Sequence, residues 1–350
     1  MSTPRRIAID AMGGDYGPSV AVPAALKSLT AHPELSLVLV GDVAEIEPYL
    51  RGLPDNLRER LEISHTAVSM ENNSKPESVL RQFKDSSMYR AVTMVKDSTV
   101  DACVSAGNTG ALLLTGRHLL KTIPGITKPA IIASIPAPAS GARCLILDVG
   151  ANVNANSEQL FEFAVMGSVL ASSIHGIERP RIGLLNIGSE DYKGTKQIRV
   201  AAQLLEKTTA LNYTGYVEGN EIFNGRVDVV VCDGFSGNIT IKTSAGVVRI
   251  IEELLNQRSS KNWLTRLATV FASPLLSPLR AQINPARYNG ASLLGLQGII
   301  VKSHGNSQAD GFFYAIEQAF KEVGDNVPDL IRLQMTAFLN SRTQIEPLLS

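Results

Sequence analysis

Lys242 lies four residues beyond Asp233-Gly-Phe-Ser-Gly-Asn238, so a small polar loop and an ammonium sit about one helical turn apart. Gly234 and Gly237 permit backbone angles closed to other residues. Asn238 is the predicted helix N-cap, because Ile241, Ala245, Val248, Ile251 and Leu255 then recur at helical spacing. A helix N-terminus after such a loop offers free N–H groups and the positive end of the dipole to an anion. The same grammar recurs at Ser105-Ala-Gly107-Asn108-Thr109-Gly110, at Asp148-Val-Gly150-Ala-Asn152, and at Asn186-Ile-Gly188 with Lys193-Gly194. A fifth glycine-rich turn, Asp10-Ala-Met-Gly13-Gly14-Asp15, lies near the start. These residue types suit the binding of a phosphate-sized anion by amides, hydroxyls and lysines.

Neighbouring chemistries fit less well. The first turn is spaced G-G-x-x-G rather than G-x-G-x-x-G, so it is no dinucleotide fingerprint. In Gly188-Ser-Glu-Asp-Tyr-Lys193-Gly194-Thr195 the lysine precedes the second glycine, unlike a Walker A loop, and Glu190 and Asp191 repel a triphosphate. The five histidines show no paired spacing, so no metal site is expected. Cys103, Cys144 and Cys232 sit in or beside apolar runs; small buried hydrophobes are the expectation, with a catalytic Cys232 beside Asp233 the minor alternative.

The loops need a frame, and the intervening sequence supplies one. Short apolar runs at 6–10, 35–40, 61–70, 100–104, 130–133, 145–148, 182–186, 211–217 and 229–232 read as strands; 88–98, 111–120, 158–173 and 195–208 read as helices between them. Residues 71–87 read as a loop and a polar helix, with Lys75 in the loop. Alternation of this kind predicts an α/β fold: a three-layer α/β/α, doubly wound and mostly parallel sheet in one two-lobed unit spanning 1–350. In such a sheet the carboxyl ends of parallel strands share one edge, which would gather the loops into one large site.

Composition bounds the remainder. The chain has 350 residues, 44% hydrophobic and 19% charged, enough for a sizeable core. A formal net charge of zero disfavours nucleic acid as the main partner. No run reaches the roughly 18 apolar residues of a spanning helix, and the N-terminus lacks the apolar core of a signal peptide. A cytoplasmic protein with peripheral membrane association is the expectation.

Taken in order, Asp10-Ala-Met-Gly-Gly-Asp15, Ser105 to Ala111, Asp148 to Asn152, Leu185-Asn-Ile-Gly188 with Lys193-Gly194, Asp233 to Asn238 with Lys242-Thr243, and Leu294-Gly with Lys302-Ser-His304-Gly305 resemble the phosphate acyltransferases of bacterial phospholipid synthesis. One departure is Asn154-Ala-Asn156-Ser, where that family carries a more charged, proline-containing stretch. The resemblance implies a fold related to phosphotransacetylases and isopropylmalate-type dehydrogenases, usually homodimeric. It implies transfer of a fatty acyl group from acyl carrier protein to inorganic phosphate, with no cofactor and with the acyl phosphate passed to a downstream membrane acyltransferase. On that chemistry, phosphate is expected near Ser105, Asn108, Thr109, Lys193 and Lys242. Asn186 and Asn238 are candidate oxyanion or phosphate donors. His304 either protonates the leaving thiolate or bonds a loop carbonyl. Gly13, Gly14, Gly107, Gly188 and Gly237 shape the loops, Asn152 belongs to the same set, and Asp10, Asp15, Asp148 and Asp233 are expected to orient amides and lysines. The alternatives are a phosphotransacetylase-like enzyme using coenzyme A thioesters and a non-catalytic membrane-docked scaffold.

Residues 256–290 stand outside the α/β rhythm. No acid occurs between Glu253 and Asp310, whereas Arg258, Lys261 and Arg266 are basic, and Trp263, Leu267, Phe271 and Leu275 form an apolar stripe. That pattern suits a helical excursion lying on anionic lipid or packing on a second subunit, and its basic face suits the acidic carrier protein.

Overall fold

The computed structural model describes residues 5–137, 142–259 and 285–345. Its apolar runs become strands β1 Arg5–Asp10, β2 Leu35–Gly41, β3 Leu61–His65, β4 Ala102–Ser105, β5 Ala130–Ala137 and β6 Ala142–Leu147. Then follow β7 Arg181–Leu185, β8 Asn212–Val217, β9 Val229–Val231, β10 Ala291–Leu294 and β11 Ile299–Lys302. All join one sheet in the order β3-β2-β1-β4-β11-β10-β5-β6-β9-β7-β8. The helices are α1 Pro18–Ala31, α2 Val43–Ile46, α3 Asp55–Arg58, α4 Ser87–Lys96, α5 Thr109–Leu119, α6 Ser157–His175, α7 Lys196–Glu206, α8 Gly234–Ser259, α9 Ala309–Asp325 and α10 Val327–Ile345. This is the expected mostly parallel α/β architecture. The membrane and dimer stripe, Trp263, Leu267, Phe271 and Leu275, lies outside the described residues.

The strands do not share one carboxyl edge. β3, β2, β1, β4 and β11 run parallel to one another, as do β6, β9, β7 and β8. Between the two sets, β10 is antiparallel to both β11 and β5, and β5 is antiparallel to β6. Three reversals leave the two sets pointing in opposite directions. Their loops still meet, because register aligns the strand ends: Ser292 pairs with both Val301 and Ile132, and Ile132 pairs with Leu147. β11 and β6 therefore end at nearly the same level of the sheet, three strand spacings or about 14 Å apart.

Side-chain alternation assigns the faces. Ile7, Ile9, Ala102, Val104, Ile299 and Val301 pack under α1 and α9, while Ala8, Cys103, Ile300 and Ile131 pack with α4 and α5. In the second half Leu147, Val229 and Ile182 bury against α6, whose Phe163 is fully enclosed. Asn156 forms a capping box with Gln159 and starts α6.

Two local expectations change. Residues 76–80 form a 3-10 turn rather than a helix; Pro76 opens it, and Asn108 ties the preceding loop through Nδ2 to Asn72 O and Ser74 O. α8 begins at Gly234, four residues before the expected cap. Asp233 is equally competent as a cap, and its Oδ1 accepts the Ser236 N–H at 2.7 Å.

Candidate active site

A cleft of about 360 Å³ opens on the α5 side of the sheet, above the β10–β5 pair. Ile131 and Ala133 share one face of β5, Ala291 opens the neighbouring β10, and these three form an apolar floor. Thr109 and Lys302 to Gly305 bound one side; Val149, Gly150, Asn238 and Lys242 bound the other. The candidates Thr109, Asn238, Lys242 and His304 thus share one cavity, although their strands run in opposite directions.

The first wall is built on a buried carboxylate. Asp10 at the end of β1 pairs in register with Ser105 at the end of β4, and Ser105 Oγ donates to Asp10 Oδ2 at 2.6 Å. Ser105 Oγ also accepts the Gly107 N–H at 3.1 Å, which starts the turn into α5. A Cβ on Gly13 would lie 2.5 Å from Asp10 Oδ2 and 2.8 Å from Gly107 N, so glycine is required where the two turns meet. Gly14 packs on Ala106, and the neighbouring Asp15 N–H donates to Gly305 O at 2.8 Å, joining the third loop. Asn108 caps α5, its Oδ1 accepting from Ala111 N at 3.0 Å, so its amide oxygen serves the helix while Thr109 faces the cleft. Burial drives the Asp10 pKa upward, against the Ser105 hydrogen bond.

The second wall hangs on Asp148. Its Oδ1 accepts from Ile131 N and Ala151 N, both at 3.0 Å; its Oδ2 accepts from Asn152 N at 2.7 Å and Asn152 Nδ2 at 3.0 Å. Asn152 also donates to Pro129 O at 2.9 Å. Burial raises the Asp148 pKa against these four bonds. Asp148, Asn152 and Asp233 are thereby committed to loop geometry. On α8, Asn238, Ile241 and Lys242 follow at i, i+3 and i+4 and present one face to the cleft.

The β7 loop stands apart from the cavity lining. Asn186 Nδ2 donates to Gly188 O at 3.1 Å and to Lys193 O at 3.4 Å, while its buried Oδ1 has no partner among the described residues. Lys193 Nζ pairs with Glu190 at 2.8 Å. Among the described residues no group of three or more His, Cys, Asp or Glu is placed to hold a metal ion. Cys232 is buried, its Sγ donates to Asp148 O at 3.5 Å, and burial drives its thiol pKa well up, which opposes thiolate chemistry.

Two groups set the electrostatics. His304 is held below the ordinary histidine value by burial and then by the charge of Lys302, so its imidazole is neutral at pH 7. Its backbone N–H is fixed by Asn289 Oδ1 at 3.0 Å. Lys302, absent from the sequence-derived candidates, is buried in the cleft wall, and burial pulls its pKa down to about 8. Its signal was a lysine ending the apolar run Gly298-Ile-Ile-Val301, a position that a strand model buries.

The architecture is an α/β fold shared with solved phosphotransacylases. A phosphotransacetylase from Streptococcus pyogenes superposes with a TM-score of 0.60 at 16% identity, covering 91% of this chain and 94% of that one. A branched-chain phosphotransacylase from Enterococcus faecalis V583 superposes with a TM-score of 0.57 at 13% identity, covering 92% and 99%. The family model described as fatty acid synthesis protein matches residues 5–330, and the chain belongs to that family. Relatives named phosphate acyltransferase include proteins of Halorhodospira halophila, 47% identical over 98% of this chain and 99% of its own, and of Legionella pneumophila, 46% identical over 95% and 97%. The chain is an acyltransferase.

Proposed function

We propose that this protein transfers a fatty acyl group from the thioester of acyl carrier protein to inorganic phosphate, giving acyl phosphate and the free carrier thiol. The observation that carries the reading is the cleft itself. It joins a helix N-terminus, Lys242 and His304 to the apolar floor of Ile131, Ala133 and Ala291. An anion and an alkyl chain each find a matching surface there.

A phosphate oxygen attacks the thioester carbonyl carbon; the C–O bond forms, the carbonyl electrons move onto oxygen, and their return breaks the C–S bond. Phosphate is already anionic at neutral pH, so catalysis rests on position and on donors for the oxyanion. Lys242 and the α5 N-terminus at Thr109 hold phosphate, and Asn238 donates to a developing oxyanion. Neutral His304 accepts the proton that phosphate sheds and returns it to the departing thiolate. Asp10, Ser105, Gly107, Asp148, Asn152, Asp233 and Gly237 hold the loops in place. Lys193, Asn186 and Gly188, in the β7 loop outside the cleft lining, take no part in this step.

The test is phosphate-dependent thiol release by purified protein, offered acyl carrier protein thioesters and coenzyme A thioesters in parallel. Turnover with the carrier donor supports the reading. Turnover with coenzyme A donors alone favours the second reading, which the phosphotransacetylase-like architecture supports. Failure with both removes this reading of donor and acceptor.

The proposal extends to a homodimer acting on an anionic membrane surface, where the acyl phosphate meets the membrane acyltransferase that consumes it. Support comes from the basic, apolar sequence of 256–290, and from Val247, Ile250 and Ile251, which are exposed on α8 ahead of it. Among the described residues no helix is long and apolar enough to cross a membrane. A Leu267→Glu, Phe271→Glu double variant should stay dimeric and active on soluble substrate yet lose salt-sensitive binding to anionic vesicles. Unchanged vesicle binding removes the membrane reading; dissociation into monomers assigns the stripe to the subunit interface.

A further inference from the structure

Lys302 is the only buried lysine among the described residues. It lies in a cross-strand row: Asp10 of β1 pairs with Ser105 of β4, and Ser105 pairs with Lys302 of β11. Residues paired in a parallel ladder point to the same face, so the carboxyl, the hydroxyl and the ammonium line up beneath the cleft. Ser105 Oγ is engaged with Asp10, which leaves Lys302 at the open end of the row. Its Nζ donates to Ala106 O at 3.0 Å and to Ser303 O. Two of the three N–H donors are thereby used.

Among the described residues no carboxylate comes within ion-pair distance of Nζ. A buried ammonium without a counter-ion is unfavourable, and a residue serving packing alone would be apolar. The carbonyls of Ala106 and Ser303 aim the ammonium but carry no net charge. Asp10 and Asp15 are the acids whose charge it senses; His304 adjoins it in the same wall, and Lys242 stands on the opposite wall. Every feature of the lysine is accounted for if the balancing anion is one that enters the cleft.

We propose that Lys302 is a substrate-contacting catalytic residue, whose buried ammonium and the Lys242 ammonium clamp the phosphate from opposite walls. The inference rests on the reading of the cleft as a phosphate-consuming site. It makes α8 and the end of β11 two jaws of one anion site, and it explains why the neutral imidazole of His304 adjoins a cation: phosphate bound to Lys302 brings its proton within that ring's reach.

The experiment pairs calorimetric titration of inorganic phosphate with thermal unfolding and turnover, on wild type and on Lys302→Met. In the variant the phosphate Kd and KM should rise about tenfold to a hundredfold, as expected for loss of a charge-assisted bond. The ligand-free variant should unfold at the same temperature as wild type or higher, because a buried charge is gone; a purely structural lysine predicts the reverse. In the wild type, phosphate affinity should weaken from pH 7 to pH 9 as Lys302 loses its proton near pH 8, even though phosphate becomes more anionic over that range. That profile decides the matter if the variant fails to fold: affinity undiminished at pH 9 overturns the proposal. An active wild type with a Lys302→Met variant that binds phosphate equally well also overturns it, and leaves the cleft reading intact. A wild type that neither binds nor consumes phosphate overturns both.

Discussion

Gly237 sits so close to Asp148 that a Cβ on it would lie 2.0 Å from the Asp148 carbonyl oxygen. Asp148 is locked by four N–H donors, so that oxygen cannot retreat. The contact seats the first turn of α8 on the β6 loop, and with it Asn238 and Lys242 at the cleft. Gly237→Ala should therefore destabilise the fold by roughly 1–3 kcal/mol, as overpacking does. It should also raise the phosphate KM by displacing α8. Denaturant unfolding and steady-state kinetics check the two effects, and a variant with native stability and KM refutes the contact's importance.

Lys242 and Lys193 looked alike as sequence candidates, yet they occupy different settings. Lys242 faces the cleft, whereas Lys193 is paired with Glu190 in the β7 loop outside the cavity lining. Lys242→Ala should raise the phosphate KM by about tenfold to a hundredfold. Lys193→Ala breaks a half-exposed pair and should change it only about twofold to threefold. Equal, large losses in both variants would mean that the β7 loop closes onto the bound substrate.

His304→Ala should lower kcat by about a hundredfold or more with phosphate affinity little changed, the signature of proton transfer rather than binding. Burial and Lys302 hold the wild-type imidazole below the ordinary histidine value, so its base form persists as pH falls toward 6.5. The wild-type rate should hold through that range and fall only at lower pH. A kcat unchanged by the substitution across pH 6–9 makes His304 a structural residue.

These expectations show what the sequence made legible. That Asp10, Ser105, Asp148 and Asp233 end or follow strands was readable, because small polar residues after β-branched runs have few uses other than strand-end loops. The direction reversal was not readable. It depends on β10, whose four residues Ala291–Leu294 are too short to display a period, and on the antiparallel pairing of β5 with β6. Lys302 was hidden for a related reason, since sequence shows a lysine after an apolar strand but not the absence of a nearby acid. Asn238 was misplaced as a cap because two good capping residues, Asp233 and Asn238, flank one loop, and only packing chooses between them.

Glu322 gives a prediction far from the cleft. It is fully buried on α9, hydrogen-bonded by Ser292 Oγ and by Gln318 Nε2 at 2.9 Å, and burial pushes its pKa from 4.5 up to about 7. The folded state therefore holds the proton more tightly than the unfolded chain. Below pH 4.5 both states are protonated and the group leaves stability unchanged. Between about pH 4.5 and 7 the native protein binds more protons, so stability falls as pH rises, and the full penalty remains above pH 7. The shift corresponds to about 3 kcal/mol at most. Glu322→Gln keeps an oxygen to accept from Ser292 and Gln318 but never ionises. Its unfolding free energy should match wild type near pH 4.5, exceed it increasingly up to about pH 7 and stay above it by a constant amount beyond, as followed by urea denaturation across the range. A gap that does not widen with pH would show that Glu322 ionises in the fold without strain.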